Sequence, residues 1–157
     1  MPKITNCLWF DGQAEDAAKA YVAIFPNSRI GRMARYPDSM PGDLAGKVLT
    51  VEFTLDGVAF TGLNGGPQFP FTEAVSFQID CQDQAEVDRY WTALLADGGQ
   101  ESQCGWLKDR FGLSWQVVPT RLAELMSDPD KAKVGRVTAA MMQMVKLDIA
   151  ALETAAG

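Results

Sequence analysis

The strongest constraint on this chain is an internal repeat. Gln13-Ala14-Glu15 and Gln84-Ala85-Glu86 stand 84 − 13 = 71 residues apart, at the same point of two successive strand-helix units. In the first, Ile4, Leu8 and Phe10 alternate with Thr5, Cys7 and Trp9, the period of a half-buried strand. Ala14, Ala17, Ala18, Tyr21, Val22 and Phe25 then recur at helical spacing until Pro26-Asn27 stops the run. In the second, Val75, Phe77 and Ile79 alternate with Ala74, Ser76, Gln78 and Asp80. Asp83 to Glu86 reads as a capping box. The stripe Val87, Tyr90, Trp91, Leu94, Leu95 runs to Gly98-Gly99.

Each helix is followed by about three strands. Segments 28–36, 48–55 and 58–63 follow the first, with Asp56-Gly57 as a hairpin turn between the last two. Pro37 to Gly46, rich in proline and glycine, reads as a mobile loop. Shorter strands fill 100–109, and 113–118 closes the second unit. This order predicts an α+β fold of two βαβββ modules, 1–66 and 72–119, within a single domain spanning 1–157. Residues 120–157 are expected to be a helical tail. Asp128-Pro129 is its expected start, Val134, Val137, Met141 and Met144 its stripe, and Asp148 the cap of a last helix. The Met-rich stripe reads as core or subunit contact, and a homodimer is expected.

Histidine is absent from all 157 residues. That removes Ser-His-Asp and Cys-His catalysis, His bases and every His-containing metal site. A net charge of −6 with no basic run argues against nucleic acid as a partner. No apolar stretch approaches the ~20 residues of a membrane span. Cys7, Cys81 and Cys104 form no C-x-x-C, and no secretory signature is visible, so reduced thiols in the cytoplasm are expected.

The polar strand faces carry the functional argument. They collect Thr5, Cys7 and Trp9; Thr50, Glu52 and Thr54; Thr61; Ser76, Gln78 and Asp80; Ser114 and Gln116. Such a face either lines a ligand groove or meets solvent or a partner sheet. Glu52 is its main carboxylate and the candidate catalytic base, provided burial raises its pKa; otherwise it is a solvated strand residue. Trp9 and Trp106 are candidates to stack a planar ligand, and Thr61, Gln78 and Gln116 to hydrogen-bond it. Cys104, with Lys108 nearby, is a candidate thiolate or a small packed thiol. Trp115 falls on the apolar face, and Lys108-Asp109-Arg110 reads as a solvated turn.

Four motifs carry a family resemblance. Residues 9–15 (Trp9-Phe10-Asp11-Gly12-Gln13-Ala14-Glu15), Leu63-Asn64-Gly65-Gly66-Pro67, 104–109 starting at Cys104-Gly105-Trp106, and 112–119 starting at Gly112-Leu113-Ser114 resemble the PhnB-like branch of the vicinal oxygen chelate superfamily. That branch is labelled 3-demethylubiquinone-9 3-methyltransferase. The resemblance implies that the tandem modules form one curved mixed sheet. It also implies a metal on the inner sheet face, at positions that fall on Thr5, about Thr61, Ala74 and Gln116. Of these only Gln116 coordinates metals, so no metal and no cofactor is expected. The methyl-donor label lacks its usual Gly-rich strand-to-helix turn, since Asp11-Gly12-Gln13 offers one glycine. Two functions stay open: a metal-free module binding a small organic molecule, and an enzyme acting on a quinone-like or other small substrate.

Overall fold

The computed structural model describes residues 2–157. The chain divides into two compact units, the first ending at Pro70 and the second running from Phe71 to Gly157. In the first, β1 (Asn6–Phe10) leads into α1 (Ala14–Ile24), then β2 (Arg29–Arg35), β3 (Val48–Leu55) and β4 (Val58–Asn64). These form one mixed sheet of order β1-β4-β3-β2, with β1 parallel to β4 and the rest antiparallel.

The second unit repeats this plan. Its elements are β5 (Ser76–Cys81), α2 (Gln84–Leu95), β6 (Gln100–Glu101), β7 (Trp106–Lys108) and β8 (Ser114–Pro119). The sheet order is β5-β8-β7-β6, again with one parallel pair, β5 on β8. Cys7 registers with Thr61 and Gln78 with Gln116, so the 71-residue offset holds from β1 to β5, while the parallel partners β4 and β8 stand closer in sequence.

Period-2 burial follows from α1 covering one sheet face. Leu8, Phe10, Val51, Phe53 and Phe60 are buried with Ala17, Ala18 and Tyr21 of the helix. Small residues let the layers meet: a Cβ on Gly62 would lie 3.1 Å from the Ala14 Cβ. Asp56 (φ 46°) and Gly57 (φ 79°) are both left-handed, the requirement of a type I′ hairpin turn. Ile4 departs from expectation. It precedes β1 and is 87% exposed, because β4 pairs only from Asn6 onward. Val75 likewise lies outside β5 and is 63% exposed. The 37–46 loop contains a 3-10 turn at Gly42–Leu44.

The two helix starts are capped differently. Asp83 accepts from the Glu86 N–H at 2.9 Å, while Glu86 accepts from the Gln82 N–H at 2.8 Å, a capping box displaced by one residue. Gln13 makes no side-chain cap on α1; Asn64 Oδ1, 50 residues away, accepts from the Ala14 N–H at 2.9 Å.

The tail holds three helices, α3 (Thr120–Met126), α4 (Lys131–Met141) and α5 (Ile149–Ala156). The first lies within the expected tail but before its expected start at Asp128-Pro129, since its seven residues show only Leu122 and Leu125 as a buried stripe. The cap of α4 is Asp130, not Asp128: Asp130 accepts from the Ala132 and Lys133 N–H groups. Asp128 instead accepts from the Asp130 N–H and pairs with Lys133 at 2.9 Å. Asp148 caps α5 as expected. Leu122, Leu125, Val137, Leu147 and Leu152 are buried together, with Met141 and Met144 against them. These two methionines belong to the tail's own core, while Met142 is 60% exposed. No helix among the described residues is long and apolar enough to cross a membrane.

Candidate functional site

In the first unit the polar face forms a registered row. Cys7 on β1 faces Thr61 on β4, and Thr61 faces Glu52 on β3. A concavity of about 390 Å³ lies here, lined by Thr5, Arg29, Glu52, Thr54 and Thr61 among others. Glu52 is half-buried, but its Oε1 accepts from Arg32 Nη2 at 2.7 Å. Its side chain remains 46% exposed. Arg32 reaches it because β2 shifts register between Ile30 and Met33. A Cβ on Gly31 would stand 3.3 Å from the Glu52 carbonyl oxygen, so glycine lets the edge strand approach. Glu52 therefore stands as an ion-paired acceptor. Arg32, the partner of Glu52, is not among the candidates read from the sequence, because the bulge that aims it has no periodic signal.

Trp9 belongs to this face by parity but is held in place. Its Nε1 donates to the Gly66 carbonyl at 2.8 Å and its ring meets Phe69 edge-on at 4.9 Å. A Cβ on Gly65 would lie 2.3 Å from the indole, so the ring rests on bare backbone. Asn64, 8% exposed, ties the same corner: beside capping α1 it donates to the Val48 carbonyl at 3.0 Å. Tyr36 donates to the Asn64 carbonyl at 2.6 Å. The motifs at 9–15 and 63–67 thus form one clip that fastens the β1–α1 turn to the end of β4.

The second unit carries the equivalent row: Gln78 on β5, Gln116 on β8 and Trp106 on β7. Gln116 donates to Ser76 Oγ at 2.9 Å, and Gln78 to its neighbour Asp80 at 2.8 Å. Gln78 is exposed; Gln116, Trp106 and Cys104 are half-buried. Cys104 (φ 58°) opens a turn whose N–H donates to the Met144 carbonyl. Asp109 is no solvated turn. It is 6% exposed and accepts from the Phe111 and Leu113 N–H groups and from Trp115 Nε1. It fastens the turn into β8, so the last two motifs meet in a second clip.

The cysteines differ in environment. Cys7 is exposed and Cys81 fully buried. Burial, with Glu86 and Asp80 nearby, pushes the Cys81 thiol up to about 12. In the unfolded chain a thiol ionises near ~8.5. The raised value favours the folded state up to that pH, and the advantage is lost as pH rises toward about 12. In a pH 8 labelling experiment read by mass spectrometry, iodoacetamide is expected to modify Cys7 first and Cys81 only on unfolding. Fast labelling of Cys81 in folded protein would contradict its burial.

The implied metal does not fit. Counting 71 residues from Thr5 leads to Ser76, not Ala74 as expected, and Ser76 is the residue bonded to Gln116. The set becomes two threonines, a serine and an amide, weak neutral donors for any transition metal. No cluster of three metal-ligating side chains exists among the described residues.

The 3-demethylubiquinone-9 3-methyltransferase family pattern matches residues 2–118. The chain belongs to this family. A PhnB protein from Bacillus cereus, described as a candidate 3-demethylubiquinone-9 3-methyltransferase, is 33% identical, with a TM-score of 0.68. The match covers 75% of this chain and 99% of that one. PA1353 from Pseudomonas aeruginosa shares the fold at 23% identity and a TM-score of 0.62, over 76% of this chain and 98% of that one. The fosfomycin resistance protein FosX from Listeria monocytogenes, at 15% identity and a TM-score of 0.51, covers 76% of this chain and 93% of its own. The chain therefore shares its fold with both of these proteins. No curated protein matches the chain. In this PhnB-like family member the helical tail lies beyond the matched residues.

Proposed function

We propose that this chain binds a small organic molecule on the polar faces of its sheets without a metal ion. The observation that supports this best is the repeated row: Cys7, Thr61 and Glu52 in one unit, Gln78, Gln116 and Trp106 in the other. Each row offers hydrogen-bonding groups on a face that α1 or α2 leaves uncovered. In the first unit Thr61 is the hydrogen-bonding group and Glu52 with Arg32 the charged pair; in the second, Gln78 and Gln116 are the hydrogen-bonding groups and Trp106 the flat wall. Trp9 contributes a partly exposed ring edge, and Cys104 a thiol at the turn before Trp106.

The second reading, favoured by the family match, is an enzyme acting on a quinone-like substrate with Glu52 as base. The α1 N-terminus speaks against a methyl donor bound there, since Asn64 already caps it.

Native mass spectrometry of freshly purified protein separates the readings. A copurified organic ligand is the expected result; bound S-adenosylmethionine would favour the second reading. The same spectrum reads the oligomeric state, expected to be a homodimer of 17.1 kDa chains. Glu52→Gln is expected to reduce the ligand-bound fraction about tenfold, from loss of a charge-assisted hydrogen bond worth roughly 1.5–3 kcal/mol. Stability should change little, because the Glu52–Arg32 pair is exposed. A large fall in melting temperature would make Glu52 structural instead.

A further inference from the structure

We propose that Lys108 and Ser114 form a subsite for the carboxylate of a small organic acid, and that Glu73 fills it from within the chain. Lys108 and Ser114 are registered partners on antiparallel β7 and β8, so their side chains leave the same sheet face. Both line a concavity of about 180 Å³, together with Glu73, Trp106 and Gln100. Ser114 is 1% exposed and its Oγ has no hydrogen-bond partner among the described residues. Buried hydroxyls are nearly always bonded, so this one calls for a partner supplied from the cavity.

Glu73 shows what kind of partner. Its carboxylate forms an ion pair with Lys108 inside the same concavity. The hydrogen bond from Lys108 holds the Glu73 carboxyl below its usual range, so the position favours an anion. Yet the pair is 38% and 58% exposed, and exposed pairs are weak enough to exchange. A ligand carboxylate that displaces Glu73 gains the same cation, and on swinging closer accepts the Ser114 O–H. Glu101, the other carboxylate of the cavity, accepts instead from Trp91 Nε1 at 3.2 Å. Trp106, two residues before Lys108 on β7, adds an apolar wall, and the small volume limits the acid to a compact one.

This subsite names one ligand class for the proposed small-molecule binding, but stands on its own residues in the second unit. The test is titration of full-length protein with benzoate, read by the Trp106 indole NMR signal, with benzamide as the uncharged control. Glu73→Gln is expected to tighten benzoate binding about tenfold by removing the internal competitor. Lys108→Met added to Glu73→Gln should abolish it, and Ser114→Ala should weaken it several-fold. Benzamide should not bind. No tightening in Glu73→Gln, or equal binding of benzamide, would overturn the subsite. A circular dichroism melt confirms that each variant is folded. Benzoate binding in a protein that copurifies with no ligand would leave the subsite standing and count against the broader reading alone.

Discussion

Replacing Asp109 with alanine is expected to lower the stability of the protein by about 3–5 kcal/mol. The carboxylate is 6% exposed and accepts three hydrogen bonds, from the Phe111 N–H, the Leu113 N–H and Trp115 Nε1. Alanine removes all three acceptor contacts at once. It strands a buried indole N–H and the Leu113 N–H, each of which loses its water without regaining a partner. At this chain length a loss of that size lowers the melting temperature on the order of 10 °C. Asp109→Asn should fall between the two, because the amide keeps one oxygen for the backbone donors but turns an NH₂ toward Trp115. Urea unfolding followed by tryptophan fluorescence measures both. A loss under about 1 kcal/mol in Asp109→Ala would show that the clip is not what holds the turn into β8.

Gly105→Ala is expected to be nearly as costly and to loosen the tail. Gly105 has φ +83°, a conformation that strains any side chain. A Cβ there would stand 2.9 Å from the Val117 carbonyl oxygen and 3.0 Å from Leu147 Cδ1. Neither neighbour yields easily. Val117 O is backbone in the centre of β8, and Leu147 is fully buried in the tail core. The same glycine donates to the Val145 carbonyl at 2.8 Å, and Cys104 donates to Met144 at 2.9 Å, so the turn is the seat of the tail. Gln84 adds a second fastening, donating to the Leu147 carbonyl and accepting from the Ile149 N–H. The expected loss is roughly 3 kcal/mol, strain and overpacking together. Hydrogen exchange should quicken first at Leu147 and Leu152 rather than in the first unit. Unchanged tail protection would mean the segment is held by its own core alone.

Together these two corners explain why motif residues that look like chemistry are largely architecture. Asn64 with Gly65-Gly66 in the first unit, and Asp109 in the second, each take up backbone groups a turn would otherwise leave unpaired. The strand faces turned away from the helices carry Thr61, Glu52, Gln116, Trp106, Lys108 and Ser114, the residues of the proposed binding.

The division between sequence and tertiary structure follows the range of each interaction. The sequence alone determined the strand-helix repeat, because alternation with period 2, stripes with period 3.6 and the Asp56-Gly57 turn depend on neighbours a few residues apart. It also determined which strand residues share a face, since parity survives any arrangement of the sheet. It fixed the poor metal set as well, through the missing histidine. Only the tertiary structure decided that Arg32 neutralises Glu52 across a bulge, that Asn64 caps a helix 50 residues away, and that Asp109 is buried. It also decided that β1 begins after Ile4 and that α4 is capped by Asp130. In each case the outcome depends on which distant group arrives at the residue. A charged or polar side chain carries no mark of its eventual partner, whereas a hydrophobic period carries the mark of the face it must bury.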